Sequence, residues 1–502
     1  MKRVLRTCSA FALPIIFLFL LGWNADAATV TASSCSLSNV QTAVNNATAG
    51  DTVTVPSGNC TWADGVTISK GITVQGAGSS TIITGAGYSF FTINGNGSGN
   101  YRISNMVFLG ASSGGTDISI NGSWDSVRID HITWKTGTSR AIYLGRIMAG
   151  DIVYRGINRT HQKALIDNID YTPAAAGAGR PFILIYGLGY RAWQQDDGFG
   201  SDNFVFIEDS NFNYTSNEYV VDTEMGGRYV FRYNNVRNAG VSMHDFGGQL
   251  LGRGNRATEQ YNNTLTCSGS GCSGRTGLQS TRGGTGLFYN NEIRGYGMPT
   301  WPMIFRVAYN TAFFGGGSCG QTGTRKVCQD LAKRCSISKK PCYSTSDCGK
   351  SGGTCPDSYD GLWCSSNSDC KDVKGSDGLC MQVDGLGRTG SEIAGWPCRD
   401  QTGRGKDDPS TGKQEVSPVY WWNNTVDGVS DKAMSVSGSY QYNEYIKLNR
   451  DYCNHSPETS CGSKAAWTYK PYTYPHPLQK GEIPPPPDTG DIKPPGNFRI
   501  AK

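Results

Sequence analysis

The phrase Tyr233-Asn234-Asn235 returns as Tyr261-Asn262-Asn263 and again as Tyr289-Asn290-Asn291, a step of 28 residues each time. An earlier relative, Ile207 to Phe212, aligns with Phe231 to Val236 at a step of 24, and a later copy begins at Trp422. Each copy joins a short β-prone run to polar turn residues. A fixed period of about 20 to 50 residues with one strand-and-turn unit per copy is typical of a solenoid. The stretch from 208 to 293 therefore predicts stacked β coils.

Asparagine recurs at the turn of every copy. A side-chain amide carries both donors and acceptors, so equivalent asparagines in stacked turns can bond to one another and to the backbone. We therefore expect an asparagine ladder inside an all-β, right-handed parallel β-helix.

Glycine supplies 66 of the 502 residues, charged residues are 17% and aromatic residues 11%, which is a composition rich in strands and turns. The net charge is +5, and Lys2, Arg3, Arg6 and Asp26 contribute +2 of it, which leaves +3 after residue 27. So small a charge argues against nucleic acid, or an anionic membrane surface, as the main partner.

The first 27 residues have a basic start, an apolar run from Phe11 to Leu21 and small residues at Ala25 and Ala27. This pattern predicts a signal peptide cleaved after Ala27, and hence a secreted or cell-surface protein. No later segment is apolar enough to cross a membrane.

Cysteines are 17 in number, and loss of Cys8 leaves 16, an even number in an oxidising compartment, which favours disulfides. A metal site is not favoured, because residues 319–398 contain no histidine. Cys35 and Cys60 flank the first helix and can staple it to the first coil. Ten of the cysteines lie between Cys319 and Cys398, and the further disulfide candidates outside that region are Cys267, Cys272, Cys453 and Cys461.

The predicted organisation has five parts. A short amphipathic helix over 36–47, with a capping box of Ser38 and Gln41, precedes the first coil and covers its open end. We expect a β-helix with this cap over 28–310, a disulfide-held insert over 311–415, final coils and a wrapping Pro/Tyr tail over 416–480, and a Pro-rich tail over 481–502. Short strands are predicted at 66–68, 72–75, 81–84, 90–93, 103–108, 127–134 and 164–169.

The cap followed by Gly50 to Pro56, the phrase Val127-Arg128-Ile129-Asp130-His131, and the phrase Gly227 to Asn234 resemble secreted bacterial proteins of the pectin-lyase-like superfamily. The resemblance covers residues 28–310 and 416–480. It implies a right-handed parallel β-helix and an activity on acidic polysaccharides, as a lyase or a hydrolase.

The catalytic phrases of that superfamily match only in part. Asp130-His131 is similar to the Trp-Ile-Asp-His phrase of pectate lyases, but their Arg-x-Pro-x-x-Arg phrase is absent. Asp196-Asp197-Gly198 is similar to the paired aspartates of polygalacturonases, but their Asn-Thr-Asp, Gly-His-Gly and Arg-Ile-Lys phrases are absent. The resemblance therefore assigns the chain to neither enzyme family.

The repeat register places Glu208, Arg232 and Gln260 in one column, with Phe231 and Glu259 in the next. A uronate lyase needs a cation for the carboxylate and a base for the adjacent proton, whereas a hydrolase needs two carboxylates across the scissile bond. The catalytic candidates are His244, Glu208, Glu259, Asp196, Asp197, Arg228, Arg253 and Arg282.

Each candidate also has a structural interpretation. Glu208 beside Arg232 fits a stacked ion pair, and His131 fits a turn or a core histidine. A column of Tyr233, Tyr261, Tyr289 and Trp422 fits either an inward core stack or an outward sugar platform. Candidate substrate contacts are Arg232, Arg256, Trp193, Tyr190 and Trp301. Ca²⁺ is a possible ligand of Asp196, Asp197, Asp202 and Asp209, but these residues lack a recognised calcium-loop spacing, which favours a solvated acidic turn, and no metal ligand is assigned.

The sequence supports two functional hypotheses. The first is a secreted protein that binds or cleaves polysaccharide. The alternative is a non-catalytic surface, adhesion or structural protein. Arginines and acids converging on a groove would favour the first, and the same charges paired off along flat faces would favour the second. The oligomeric state is not predicted.

Overall fold

A computed structural model describes residues 27–85, 89–96, 98–109, 116–135, 142–144, 163–172, 182–187, 192–193, 195–224, 226–242, 255–269, 272, 276–278, 280–281, 283–298, 301–302, 326–328, 333–337, 341–342, 349, 351–354, 380–382, 402–408, 413–436 and 446–481. Residues 1–26 of the predicted signal peptide, most of the predicted insert and residues 482–502 of the Pro-rich tail lie outside these ranges. In the part that is described, no helix is long and apolar enough to span a membrane.

The described chain is mainly β, with one α-helix, α1 (Leu37–Asn46), and short 3₁₀ turns that include Gly78–Ser80 and Pro477–Lys480. The strands are β1 (Thr29–Thr31), β2 (Thr52–Val55), β3 (Gly58–Trp62), β4 (Val66–Ile68), β5 (Thr73–Gly76), β6 (Thr81–Gly85), β7 (Phe91–Asn96), β8 (Asn100–Leu109), β9 (Ile118–Ser123), β10 (Ser126–Trp134), β11 (Ile142–Leu144), β12 (Ala164–Tyr171), β13 (Ile183–Tyr186), β14 (Val205–Glu208), β15 (Asn211–Glu224), β16 (Arg228–Arg232), β17 (Asn235–Ser242), β18 (Ala257–Tyr261), β19 (Thr264–Thr266), β20 (Ser280–Thr281), β21 (Thr285–Tyr289), β22 (Glu292–Arg294), β23 (Trp301–Pro302), β24 (Lys326–Cys328), β25 (Lys333–Arg334), β26 (Pro341–Cys342), β27 (Cys380–Gln382), β28 (Arg404–Asp408), β29 (Lys413–Val416), β30 (Val419–Trp422), β31 (Thr425–Val426), β32 (Val429–Ser430) and β33 (Tyr452–Cys453).

One largely parallel sheet of 25 strands holds most of these elements together. Its first row runs through β2, β5, β8, β10, β12, β14, β16, β18, β21 and β30, each paired in parallel with the next. Further rows pass through β4, β7 and β9, and through β15, β17, β19, β22 and β31. Each strand in these rows thus pairs with the equivalent strand one repeat along the chain. All the predicted strands between residues 66 and 169 are confirmed.

The helix α1 forms as predicted, because Val40, Ala43 and Val44 are buried on one face. The predicted capping box is wrong. Ser36 is the N-cap and its side chain makes no capping bond. Gln41 instead bonds to both backbone groups of Thr67 in β4, with distances of 2.8 and 3.1 Å. The amide therefore attaches the helix to the sheet rather than closing the first helical turn.

The predicted register is wrong by one residue between β16 and β18. Arg232 pairs with Tyr261, not Gln260, and Glu259 pairs with Val230, not Phe231. The cause is the turn residue that follows each strand. Tyr233 has a left-handed φ of 57°, and the equivalent residue on the next strand is Asn262, with φ of 56°. Tyr233 is therefore equivalent to Asn262 and not to Tyr261, so a register that matches the two tyrosines is wrong by one residue for every position of β18.

The left-handed corner recurs along the first row from β8 to β30. Among residues other than glycine, asparagine and aspartate adopt this conformation at the lowest cost, which explains why asparagine is the commonest residue at the corner. The corner residues with positive φ are Asn105, His131, Asn168, Asp209, Tyr233, Asn262, Asn290 and Asn423. His131 is therefore a turn residue, with 49% of its side chain exposed.

The asparagine ladder is confirmed one residue beyond that corner. The amide of Asn234 donates to Asn263 at 3.3 Å, Asn263 donates to Asn291 at 2.9 Å, and Asn291 donates to Asn424 at 2.9 Å. Each amide also bonds to a backbone carbonyl, such as that of Phe231, at 2.8 Å from Asn263. The ladder thus satisfies buried turn backbone that would otherwise lack partners.

Successive side chains of each first-row strand point to opposite faces of the sheet, and each face contains an apolar cluster. Phe231, Phe288 and Trp421 point to the main core, which is lined by residues of every row. Val230 and Tyr261 lie on the opposite face in a second cluster. That face is covered by residues 467–481, which we call the strap. The strap runs back across the row from β30, where Tyr469 contacts Trp422, to β10, where Leu478 accepts a hydrogen bond from Arg128.

Three disulfides join described cysteines: Cys35–Cys60, Cys267–Cys272 and Cys453–Cys461. They include all six cysteines that the sequence analysis singled out. Disulfides of this kind are typical of proteins folded in an oxidising compartment.

Candidate functional site

Glu208 and Arg232 meet side by side, as predicted, but beneath the strap. Arg232 Nε donates to Glu208 at 2.5 Å, and neither side chain is exposed. The other Glu208 oxygen accepts from the backbone N–H of His476 at 2.9 Å and from Gln479 at 2.8 Å. Burial raises the pKa of Glu208 against the opposing effect of Arg232. Both carboxylate oxygens are therefore occupied.

The arginines of this face hold the strap backbone. Arg232 donates to the carbonyls of Tyr472 and Thr473 at 2.7 and 2.8 Å. Arg128, which pairs with Asp167 at 2.8 Å, also donates to the carbonyl of Leu478 at 2.8 Å. These charges pair off and bind the chain's own C-terminal segment.

The aromatic column is an outward stack, but it is not exposed. Tyr261 and Tyr289 stack with centroids 4.6 Å apart, and Tyr289 and Trp422 stack at 4.5 Å. Tyr469 of the strap packs edge-on against Tyr289 at 5.8 Å. Tyr233 does not belong to the column and instead stacks on Tyr474 at 3.7 Å. The column is thus neither an inward core stack nor an open sugar platform.

Glu259 is a fully buried acid in the same face. One of its oxygens accepts from the Gly200 N–H at 2.7 Å, and the other accepts from the Tyr469 hydroxyl at 2.5 Å. Burial raises its pKa to about 7, despite these two hydrogen bonds. The charge of Glu259 therefore changes near neutral pH.

Arg228 and Arg256 lie beneath the loop at 192–200. Arg256 donates to the carbonyls of Ala192 and Gln195 at 3.1 and 2.8 Å, and its Nη1 lies 2.6 Å from Asp197. Its guanidinium sits 5.3 Å from the ring centroid of the buried Trp193. Trp193 is therefore part of the loop's support and does not face solvent.

Arg228 donates to the carbonyl of Asp196 at 2.8 Å, and burial together with Arg256 lowers its pKa to about 9. The Asp197 carboxylate accepts from Ser417 and faces Arg256. Burial raises its pKa, but Arg256 and Ser417 outweigh that effect and hold the pKa below its usual value. Asp196 is exposed and pairs with Lys406 at 3.0 Å.

A cavity of about 490 Å³ opens beside Asp197. Phe199 and Trp467 stack at 6.1 Å on one wall, and Tyr420 contacts Trp467 edge-on at 6.2 Å. The lining residues are Asp197, Gly198, Phe199, Ser417, Tyr420, Lys464, Ala465, Ala466 and Trp467. Of the predicted site residues, this list contains Asp197 alone.

The remaining candidates do not join this cavity in the described structure. His244, Arg253, Arg282 and Tyr190 lie outside the described residues, as does the side chain of Trp301. Asp202 pairs with Lys163 at 2.8 Å, and Asp209 accepts from Tyr474 at 2.6 Å. Across the described ranges, no group of three or more His, Cys, Asp or Glu side chains is placed to hold a metal ion.

Sequence reasoning missed Phe199, Tyr420, Lys464 and Trp467. Tyr420 adjoins the repeated phrase and Phe199 follows the paired aspartates, so both were within reach of the pattern. Lys464 and Trp467 lie far away in the chain, and only the disulfide-closed turn from Cys453 to Cys461 and the strap bring them to Asp197.

No known family model matches the chain, and no curated protein matches it either. Among solved structures, it is similar to an alginate lyase from Paenibacillus sp. str. FPU-7, with 15% identity, a TM-score of 0.34, and coverage of 54% of this chain and 97% of that chain. A likeness of this extent carries neither a substrate nor a reaction over to this chain.

Proposed function

We propose that the chain is an exported right-handed parallel β-helix that binds polysaccharide in the cavity beside Asp197. The repeating parallel rows, the left-handed corner and the asparagine ladder support the solenoid. The disulfides support a location outside the cytosol.

The observation that carries the binding site is the lining of the cavity. Phe199, Tyr420 and Trp467 offer apolar ring surface, while Asp197 and Lys464 add polar groups of both signs. Ligand sites commonly have volumes of about 300–1,000 Å³ with apolar walls and a few polar groups that fix orientation. Sugar rings match such a lining, since their C–H faces pack on aromatic rings while their hydroxyls bond to polar groups.

Binding is favoured over cleavage by the fate of the charged residues. Glu208 and Arg232, like Arg128 and Asp167, pair off and hold the strap rather than facing solvent. This pairing is the outcome expected of a non-catalytic surface protein and not of an open uronate site, so the proposed binding rests on the lining of the cavity and not on these charges.

One observation favours hydrolysis as the second candidate. Asp197 has a lowered pKa, whereas the pKa of Glu259 is raised to about 7. Two carboxyl groups with pKa values driven apart are the usual pair for a general acid and its ionised partner. Here Tyr469 and Gly200 cover the Glu259 carboxyl, so cleavage would require the strap to withdraw from it.

The test is a binding and activity panel with polygalacturonate, alginate, xylan and a neutral glucan, each with and without calcium. We expect saturable binding that Trp467→Ala weakens about tenfold, since an aromatic anchor contributes on the order of 1–2 kcal/mol. The matched control is Tyr474→Ala, a strap residue 43% exposed and absent from the cavity lining.

Unsaturated products would establish a lyase, and new reducing ends without them would establish a hydrolase. Absence of binding across the panel, or equal effects of the two variants, would contradict the proposed site.

A further inference from the structure

The cavity lies at one end of a longer groove that is already filled. Tyr420 on β30 continues in register to Leu287, Glu259 and Val230 on successive strands. Beside this line runs the stacked column of Trp422, Tyr289 and Tyr261. Acidic, cationic and aromatic groups therefore extend beyond the cavity along the row, on the face where a long ligand would continue.

The strap covers that continuation without interruption. It begins at Trp467, which is itself a wall of the cavity. Tyr469 then bonds to Glu259, and the carbonyl of Lys470 lies so close to Gly200 that a Cβ there would approach it to 2.1 Å. Farther along, Tyr472 and Thr473 bond to Arg232, as described above.

Displacing the strap would strip partners from buried charges. Arg232 and Glu208 have no exposed side-chain surface, and each uses the strap backbone as a partner. A ligand that displaced the strap would have to replace these charge-assisted hydrogen bonds and also the stacking of Tyr474 on Tyr233. A ligand in the cavity therefore meets a wall where the strap begins.

Resting on the proposed function, we propose that the cavity binds the end of a polysaccharide chain rather than an internal segment. The strap makes the groove blind on the side of β21, so a chain enters with its terminus against Trp467 and Phe199 and leaves through the open side. Trp467 and the following strap residues thereby determine the mode of binding.

The experiment uses the full-length mature protein and the panel polysaccharide that binds it, fractionated into narrow length classes. Sedimentation and calorimetry give the number of proteins per chain and the dissociation constant per chain. Terminal binding predicts one protein per chain at every length and a dissociation constant that does not change once the cavity is filled.

Internal binding would instead give several proteins per chain, in proportion to length, and a dissociation constant per chain that falls as the chain grows. That result would overturn the inference while leaving the proposed function intact. Failure of every panel member to bind would overturn both. Trp467→Ala weakens binding in either mode and serves to confirm that the counted proteins are bound through the cavity.

Discussion

Replacement of Arg232 by methionine should destabilise the native state by about 3–5 kcal/mol near pH 8, the usual cost of breaking one side of a buried ion pair. The side chain has no exposed surface, and it bonds to Glu208, to the Tyr261 hydroxyl at 2.9 Å, and to the strap carbonyls of Tyr472 and Thr473. Methionine fills similar volume, so most of the loss comes from the stranded Glu208 carboxylate and the released carbonyls.

The loss should shrink in acid, because burial already raises the pKa of Glu208 and protonation removes the unpaired charge. Denaturant midpoints measure the global effect, and hydrogen exchange at the His476 N–H reports release of the strap. The matched control is Arg294→Met, whose partner Glu292 is exposed, so that about 0–1 kcal/mol is expected. Equal midpoints and equal exchange for the two variants would refute the assignment of Arg232 as the strap's anchor.

Three further outcomes are expected. Asn263→Ala should lower the free energy of unfolding by about 2–4 kcal/mol, because it leaves the buried Phe231 carbonyl and the Asn234 N–H unpaired. The exposed control Asn235→Ala should lower it by less than about 0.5 kcal/mol, as measured by denaturant unfolding. Similar values for the two variants would contradict a stabilising ladder. The folded pKa of Glu259, about 7, lies above its unfolded value, so this group's contribution is fully present below about pH 4 and declines by about 3 kcal/mol as the pH rises through 7. Glu259→Gln should flatten that part of the stability profile, and an unchanged slope would count against the assignment. His131→Gly should be about 1–2 kcal/mol more stable than His131→Val, because both lose the 2.7 Å bond to Asp130 but only valine is strained at the left-handed φ of 52°. Equal stability of the two variants would contradict the corner assignment, and a loss of saccharide binding in the glycine variant would indicate a role in the site.

Much of the fold was accessible from sequence because its constraints repeat. Short alternating runs predicted the strands, and the recurring asparagines predicted the ladder that Asn234 and Asn263 form. The register was less accessible, since the corner between two rows of the sheet tolerates one extra residue. Tyr233 at the left-handed corner imitates Tyr261 at the end of a strand, and a phrase match cannot separate the two positions.

The site was accessible only in fragments, because its composition depends on distant segments. The pairing of Glu208 with Arg232 followed from the repeat, but their burial follows from the strap, 240 residues farther along the chain from Arg232 to Tyr472. Likewise, the phrase Asp196-Asp197-Gly198 made Asp197 a candidate site residue, but the cavity beside it is formed in part by the distant residues Lys464 and Trp467. A pattern within one repeat carries no information on which distant segment covers it.

The ladder step from Asn291 to Asn424 spans 133 residues in the chain and yet has the same 2.9 Å geometry as the step from Asn263 to Asn291, which spans 28. Loop-closure entropy grows only with the logarithm of length, so the longer connection costs about 1 kcal/mol more than the shorter one. A sequence of considerable size can therefore be accommodated between two adjacent strands for less than the contribution of one buried amide. The stacked strands and the segments that connect them are therefore largely independent, and a connecting segment can change in length or sequence without altering the packing of the core.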